Sequence, residues 1–166
     1  MICPVCGHEN LQGVDECENC GSDLRTADVP GPSSTFELWL VGQPLAALRA
    51  GPPITVGPDT GLAEAVARLQ TENATCLVVE DGGQVRGILT ERDLLLRTAG
   101  LGLDGLKVGQ LMTSDPVVLR PDDSIAVAIH KMAVGGFRHV PLVENGHATG
   151  LVSAGDLFRY ILDAID

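Results

Sequence analysis

Apolar side chains occur at helical spacing twice along the chain. The positions are Leu62, Ala65, Val66 and Leu69 in the first copy, and Ile125, Ala128, Ile129 and Met132 in the second. A spacing of i, i+3, i+4 and i+7 places such residues on one face of a helix. Two amphipathic helices are therefore predicted, and one constant offset along the chain, from Leu62 to Ile125, relates their corresponding positions.

Each predicted helix is followed by two short apolar segments on either side of a turn. These segments are 76–79 and 85–89 around Asp81-Gly82-Gly83, and 140–143 and 148–152 around Asn145-Gly146. Apolar runs around such turns predict β-hairpins. Each copy then continues into an apolar helix, as GILTERDLLLR at 87–97 and GLVSAGDLFRYIL at 150–162. The pattern predicts a duplicated strand–helix–strand–strand–helix unit of about 60 residues.

The chain divides into four predicted regions. Residues 1–24 contain four of the five cysteines, and residues 25–36 form a predicted linker that is rich in Pro, Gly and Ser. Residues 37–107 and 108–166 are the two predicted repeats. Apolar residues make up 45% of the chain and aromatic residues only 3%, so the core is predicted to consist of aliphatic side chains.

The charge balance and the cysteine pattern restrict the possible partners and compartment. A net charge of −11 opposes binding to nucleic acid or to anionic membranes. No apolar run approaches the ~20 residues of a membrane-spanning helix, and no signal region precedes Cys3. Cysteines in CxxC pairs are typical of metal binding in a reducing compartment rather than of a disulfide framework. We therefore expect a cytoplasmic protein that binds neither nucleic acid nor membrane.

The N-terminal cysteines form two CxxCG motifs. They are Cys3, Cys6, Cys17 and Cys20, with ten residues between the two pairs. Four thiolates at this spacing suit a tetrahedral, structural Zn²⁺, and the segment resembles a small zinc ribbon. A rubredoxin-like iron site has the same spacing and would imply electron transfer. A segment of this length depends on its metal to fold, and its five acids without Lys or Arg favour a structural or protein-docking role.

From about Leu45 to the end, the chain resembles a pair of CBS domains, the Bateman module. The resemblance rests on GILTERDL at 87–94, MTSDPVVL at 112–119, FRHVPLVENG at 137–146 and GLVSAGDL at 150–157. It implies an α/β (α+β) fold in which two β-α-β-β-α repeats pack about a pseudo-twofold axis with their sheets facing each other. It further implies two clefts, in which family members commonly bind AMP, ADP, ATP or S-adenosyl compounds.

The resemblance assigns ribose contacts to two residue pairs. They are Thr90 with Asp93 in the first repeat and Ser153 with Asp156 in the second. An ionised carboxylate accepts hydrogen bonds only and can therefore bind two ribose hydroxyls. Thr-x-x-Asp and Ser-x-x-Asp also match capping boxes that begin a helix. Both interpretations stay open at this point, and they are compatible.

The two repeats differ where the resemblance implies phosphate contacts. Arg138 and His139 precede a strand of the second repeat, and we align them with Ala74-Thr75 of the first. The resemblance implies that such cations share a cleft with the Asp that follows them. We therefore expect a complete nucleotide site of Arg138, His139, Ser153 and Asp156, and a first cleft that lacks a cation for phosphate.

A catalytic function is not expected. The chain has no Ser/His/Asp or Cys/His set, and Cys76 lies in an apolar strand that disfavours a thiolate. The predicted function is a regulatory adenine-nucleotide sensor for a separate effector protein. The alternatives are a structural or protein-interaction scaffold without nucleotide, and electron transfer through the cysteine site. Apolar residues of the repeat-final helices predict a homodimer; they are Leu94, Leu95, Leu96, Phe158, Tyr160, Ile161 and Leu162.

Overall fold

The computed structural model describes residues 1–11, 14–98 and 103–165, and it confirms the predicted mixed α/β fold. The helices are α1 (Thr35–Val41), α2 (Leu62–Thr71), α3 (Glu91–Arg97), α4 (Val108–Leu111), α5 (Ile125–Gly135) and α6 (Ala154–Ile165). The strands are β1 (Thr55–Val56), β2 (Cys76–Asp81), β3 (Gln84–Thr90), β4 (Thr113–Ser114), β5 (His139–Glu144) and β6 (His147–Ser153). A 3-10 turn spans Leu45–Leu48.

The strands of the two repeats pair in the same way. In the first repeat the sheet order is β1-β2-β3-β4, with β1 parallel to β2 and the other pairs antiparallel. In the second repeat β5 and β6 are antiparallel. The strand that would correspond to β1 is reduced to one parallel bridge, Leu119 to Leu142. Leu119 and Leu142 occupy the positions in the second repeat that Val56 and Val79 occupy in the first, and Val56 and Val79 are also paired. The backbone pairing therefore follows the predicted duplication.

Both predicted hairpins are confirmed, and their turn residues explain why. Gly82 and Gly83 have φ angles of 57° and 75°, and Asn145 and Gly146 have 52° and 86°. Two consecutive positive φ angles define the turn that best matches the twist of paired strands, and Gly and Asn tolerate them with little strain.

The two predicted amphipathic helices are also confirmed, although their caps differ. Ser124 caps α5, because its Oγ accepts a hydrogen bond of 3.3 Å from the Val127 N–H. Helix α2 instead begins after Gly61 without a capping side chain. Asp59 and Thr60, which precede Gly61, do not cap this helix.

Each repeat receives part of its core from the segment that precedes the other repeat. Leu45 is fully buried among the apolar residues of the second repeat, and Val108 is fully buried among those of the first. The Leu45 N–H donates to the Asp123 carbonyl at 2.8 Å, and the Val108 N–H donates to the Thr60 carbonyl at 3.0 Å. These equivalent contacts relate the repeats by a pseudo-twofold axis.

The hairpins meet directly across this axis. The Val85 N–H donates to the Gly146 carbonyl at 3.0 Å. The carboxylate of Glu80 accepts a hydrogen bond of 2.9 Å from the Ala148 N–H. The sheets of the two repeats are therefore fixed relative to each other by backbone as well as side-chain contacts.

The N-terminal part of the chain packs on the second repeat. Helix α1 begins inside the segment that was predicted as a linker, and its Leu40 is buried in the core of the second repeat. Trp39 stacks on Tyr160 of α6 with a centroid distance of 5.9 Å. Val29 also contacts this core. The composition of residues 25–36 did not indicate these contacts.

Candidate functional site

Thr90 and Asp93 join the end of β3 to the start of α3. The Asp93 Oδ2 accepts hydrogen bonds from the Thr90 N–H at 3.0 Å and from the Thr90 hydroxyl at 2.5 Å. The Thr90 Oγ1 in turn accepts the Asp93 N–H at 3.2 Å. The capping-box interpretation is therefore confirmed. The second carboxylate oxygen, Oδ1, accepts a hydrogen bond of 3.1 Å from the Thr113 hydroxyl and is not needed for the cap.

Ser153 and Asp156 repeat this arrangement between β6 and α6. The Asp156 Oδ2 accepts from the Ser153 N–H at 2.9 Å and from the Ser153 hydroxyl at 2.6 Å. The Asp156 Oδ1 forms an ion pair of 2.6 Å with Arg159, one turn along the helix. The Asp156 side chain is 36% exposed and that of Asp93 is 13% exposed. The Asp93 carboxylate is thus the more enclosed of the two.

A cleft of about 810 Å³ surrounds the Asp93 carboxylate, and both repeats line it. The first repeat contributes Thr90 and Asp93, and the second contributes Arg138 and His139. In this cleft Arg138 and His139 lie with Thr90 and Asp93, whereas the sequence resemblance grouped them with Ser153 and Asp156. The physical reason is the pseudo-twofold axis, which places the start of β5 beside the first repeat: the Thr75 Oγ1 and the His139 Nε2 are 2.9 Å apart and hydrogen-bonded.

The backbone also corrects the alignment of the two repeats at this point. Cys76 pairs with Thr90 as His139 pairs with Ser153. The counterpart of His139 is therefore Cys76, and that of Arg138 is Thr75. The alignment of Arg138-His139 with Ala74-Thr75 was wrong by one position, whereas the constant offset between the two amphipathic helices gives the correct register.

The cleft concentrates positive charge on a strongly acidic chain. Its lining includes the guanidinium groups of Arg92, Arg97 and Arg138 and the carboxylates of Glu91 and Asp93. Arg97 is held by hydrogen bonds to the Leu111 and Met112 carbonyls at 2.7 and 2.8 Å. Within the described residues, Arg92 and Arg138 form no ion pair of 4.0 Å or less. Two guanidinium groups are thus available to an anion.

The environment of His139 in the free cleft favours the neutral form of its imidazole. Burial lowers the pKa of its imidazole, and the positive charge of Arg138 lowers it further, whereas Asp156 and Glu91 oppose the shift. A neutral imidazole that shares one nitrogen with Thr75 keeps the other ring nitrogen for a ligand. Sequence reasoning missed Thr75 and Thr113 as cleft residues, although the repeat offset could have identified Thr75 as the counterpart of Arg138.

The four N-terminal cysteines converge, as their spacing predicts. The Sγ atoms of Cys3, Cys6, Cys17 and Cys20 all lie within 4.8 Å of one another. The Sγ atoms of Cys3 and Cys20 are 3.7 Å apart, and those of Cys6 and Cys17 are 3.6 Å apart. Four thiolates around a tetrahedral Zn²⁺, with bonds near about 2.3 Å, would be separated by about 3.8 Å. The cluster therefore has the dimensions of a site for one metal ion.

Matching turns form the two halves of this cluster. The Gly7 N–H donates to the Cys3 carbonyl at 2.9 Å, and the Gly21 N–H donates to the Cys17 carbonyl at 2.8 Å. Both glycines have positive φ angles, of 72° and 68°, which lets the backbone fold tightly around sulfur. Although burial opposes it, hydrogen bonds from the backbone of Cys20 and its neighbour lower the pKa of Cys17 to about 6. This thiol is therefore prepared to bind metal as a thiolate.

Cys76 is chemically separate from this cluster. It is 2% exposed in β2, and burial, together with the Asp93 charge, raises its pKa to about 12. The expectation that its environment disfavours a thiolate is confirmed.

Within the described part of the chain, no helix has the length and apolar composition of a membrane-spanning segment.

Known proteins share both the sequence pattern and the fold. The chain is 35% identical over 121 residues to the CBS domain-containing protein CBSCBSPB5 of Arabidopsis thaliana; the match covers 71% of this chain but only 22% of that protein. The crystal structure of the CBS-domain containing protein ATU1752 from Agrobacterium tumefaciens has a TM-score of 0.66 and 36% identity, and the match covers 72% of this chain and 99% of that chain.

A more distant structure shares the fold and contains ligands. The CBS domain pair of protein MJ0100, in complex with 5′-methylthioadenosine and S-adenosyl-L-methionine, has a TM-score of 0.66 at 23% identity, and the match covers 72% of this chain and 99% of that chain. The family model described as the CBS domain matches residues 47–100 and 108–163. The chain therefore belongs to the CBS-domain family and contains a tandem pair of these domains.

Proposed function

We propose that this chain is a regulatory module that binds a phosphorylated adenine nucleotide in the cleft between Asp93 and Arg138. The module signals the binding of nucleotide to a separate effector protein. The observation that carries the proposal is the meeting, in one cleft, of a hydroxyl-binding carboxylate and two guanidinium groups without ion-pair partners among the described residues. The bound adenosyl ligands of the MJ0100 domain pair support the same ligand class.

Asp93 and the cations would serve different parts of the ligand. The Asp93 Oδ1 already accepts a hydroxyl hydrogen bond, from Thr113, and ribose hydroxyls offer the same type of donor. Arg92 and Arg138 would contact the phosphate, because planar guanidinium groups bind phosphate oxygens in pairs. The local positive charge offsets the repulsion that a chain of net charge −11 exerts on an anion.

The two clefts of the pair would then differ in the charge of their ligand. At the positions that correspond to Arg138 and His139, the first repeat has Thr75 and Cys76, which are uncharged. The cleft next to Ser153 and Asp156 would therefore lack the guanidinium group of Arg138. We propose that it binds a less charged adenosyl compound, or binds nucleotide weakly.

Titration calorimetry with AMP and adenosine tests the main proposal. Arg138→Ala should weaken AMP binding by about 10- to 100-fold, the value of a charge-assisted contact of roughly 1.5–3 kcal/mol, and should leave adenosine binding nearly unchanged. Asp93→Ala should weaken both ligands. The matched control is Arg86→Ala, an arginine outside this cleft lining.

Two results would contradict the assignment. If Asp156→Ala removes the tighter AMP site and Asp93→Ala leaves it intact, the nucleotide occupies the other cleft. If the wild-type chain binds no adenine nucleotide, the two Asp residues act only as helix caps. The scaffold alternative would then be preferred.

We further propose that Cys3, Cys6, Cys17 and Cys20 bind one structural Zn²⁺. The support is the sulfur geometry, the four thiol ligands and the dimensions of the cluster. Elemental analysis should give one zinc per chain, and the double variant Cys3→Ser/Cys20→Ser should give none. Visible absorbance with stoichiometric iron would instead favour the electron-transfer alternative.

A further inference from the structure

The last residues of the cysteine cluster are attached to the base of α5. Leu24 is fully buried with Cys3 and Cys17 inside the cluster. The next residue, Arg25, has guanidinium nitrogens 2.6 Å from the Asp23 Oδ2 and 3.5 Å from the Asp123 Oδ2. Asp123 directly precedes the Ser124 cap of α5. One arginine thus links the cluster to the start of this helix.

A second attachment lies further along α5. The Asp28 carboxylate accepts hydrogen bonds of 2.9 and 3.0 Å from the Lys131 Nζ, and the His130 Nε2 lies 3.7 Å away. The side chains of Lys131 and His130 are only about one-fifth exposed, at 20% and 21%. Partial burial makes such a pair stronger than an exposed one. Helix α5 is therefore held at its start and again near its middle.

The far end of α5 carries the phosphate-binding side of the cleft. The helix ends at Gly136, which has a φ angle of 66°. Phe137, Arg138 and His139 follow at once and line the cleft. A Cβ atom at Gly135 would clash with the Phe137 ring, so this turn is closely packed against the helix. Any shift of α5 would accordingly move Arg138 and His139.

We propose that the metal-loaded cysteine cluster acts as a clamp on α5 that keeps Arg138 and His139 in their nucleotide-binding position. This inference rests on the proposed nucleotide site and names its regulation. Helix α5 has 11 residues and is therefore about 16 Å long, from the attachment at its start to the end that precedes the cleft residues.

Metal would exert this effect through folding of the cluster. A segment as short as residues 1–24 cannot bury enough apolar surface to fold without its metal. Loss of the metal would release Leu24 and Asp23, and with them one end of the segment that holds α5. Thermodynamic linkage requires the reverse effect as well, so bound nucleotide should raise the affinity of the cluster for metal by the same factor.

Calorimetry on the zinc-loaded protein distinguishes an effect of the clamp on AMP binding from a general loss of stability. Asp28→Ala should weaken AMP binding about fivefold, the lower range of typical coupling between sites, while zinc content stays at one per chain. Asp59→Ala is the matched control, because it removes the ion pair of 2.6 Å with Lys107 in the first repeat and leaves α5 untouched. Equal AMP affinity in wild type, Asp28→Ala and EDTA-treated protein would overturn the clamp.

Amide hydrogen exchange tests the clamp without nucleotide. Removal of zinc by EDTA should raise exchange in residues 133–139, and Asp28→Ala should raise it in the zinc-loaded protein. Unchanged exchange in both cases overturns the inference. If the wild-type protein binds no AMP but exchange responds to zinc, the proposed nucleotide function fails and the clamp stands.

Discussion

Asp93 uses its two carboxylate oxygens for different tasks. Oδ2 completes the capping box with Thr90, and Oδ1 lies toward Thr113 and the cleft. A single side chain can therefore begin a helix and also bind a ligand hydroxyl, so the two sequence interpretations do not exclude each other. Substitution of Asp93 removes a helix cap as well as the ligand contact. For this reason the nucleotide assignment is tested most cleanly at Arg138, which has no capping role.

The buried thiol of Cys76 predicts a distinct dependence of stability on pH. Its pKa in the folded protein is raised from 9.0 to about 12, so only the unfolded thiol ionises between these values. The free energy of unfolding should therefore be unaffected by this group below about pH 9 and should fall above it, by at most about 1.4 kcal/mol per pH unit. Urea titrations from about pH 8 to about pH 10.5 measure this slope.

Cys76→Ala provides the comparison for this slope. The four N-terminal thiols are present in both proteins, so the difference between the two slopes isolates Cys76. The variant should be less dependent on pH in the alkaline range, whatever its stability at neutral pH. Identical slopes would show that the Cys76 thiol ionises equally in the folded and unfolded states.

The sequence identified the motif residues of the proposed cleft, but it did not predict that Arg138 and His139 would line a cleft with Thr90 and Asp93. Thr90 and Asp93 were recognisable because the motif recurs after an equivalent strand. Arg138 and His139 were assigned to Asp156 because they precede it in the same repeat. Which repeat they face depends on the pseudo-twofold axis and on the Thr75–His139 contact. No local pattern encodes a contact between residues 64 positions apart.

The sequence predicts the helices and strands whose stabilising contacts are local. Helices α2 and α5 and both hairpins follow from spacing and turn residues. Helix α4 and strand β4 were not predicted as elements, because the contacts that stabilise them come from the first repeat. Val108 is buried among residues of that repeat, and β4 pairs with β3.

Two equivalent glycines allow this exchange of segments to be tested. A Cβ atom at Gly87 would lie 2.6 Å from the Met112 Sδ and 2.9 Å from the Thr113 carbonyl oxygen, which belongs to β4. Gly87→Ala should therefore lower the free energy of unfolding by about 1–3 kcal/mol, since a backbone atom must move. Chemical denaturation with urea provides the measurement.

Gly150→Ala is the matched control, at the equivalent position of the second repeat. Its Cβ atom would meet the Leu142 Cδ1 at 3.3 Å and the Ala50 Cβ at 3.4 Å, and side chains can adjust by such amounts. Gly150→Ala should lower the free energy of unfolding by less than about 1 kcal/mol. Equal losses at the two positions would show that the β3–β4 contact is no tighter than its counterpart.

For the molecule as a whole, arginines and exposed apolar side chains of α3 meet at the same cleft. The chain is strongly acidic overall, whereas the lining of the cleft contains more arginines than carboxylates. The largest exposed apolar side chains of the repeat-final helices are Leu95 and Leu96 on α3 and Phe158 on α6, which are 75%, 70% and 62% exposed. Leu94, Tyr160 and Ile161 are partly buried against the cores instead, so they contribute less to a surface for assembly than the sequence suggested.

This exposed surface predicts a homodimer through α3 and α6. Burial of Leu95, Leu96, Phe158 and Leu162 on a second copy would remove apolar area from water at about 25 cal/mol per Å². Light scattering at micromolar concentration should give twice the mass of the 17.4 kDa chain. The double variant Leu95→Asp/Phe158→Asp should give the monomer mass, because it places two charges in the interface.

Val134→Asp is the control for this double variant. Val134 is 73% exposed on α5, outside the two helices, so its substitution should leave the dimer intact. Leu95 and Leu96 also line the proposed nucleotide cleft, so a partner that covers them would lie at its mouth. A monomer mass for the wild-type chain, or a dimer that survives both α3 and α6 substitutions, would place the interface elsewhere.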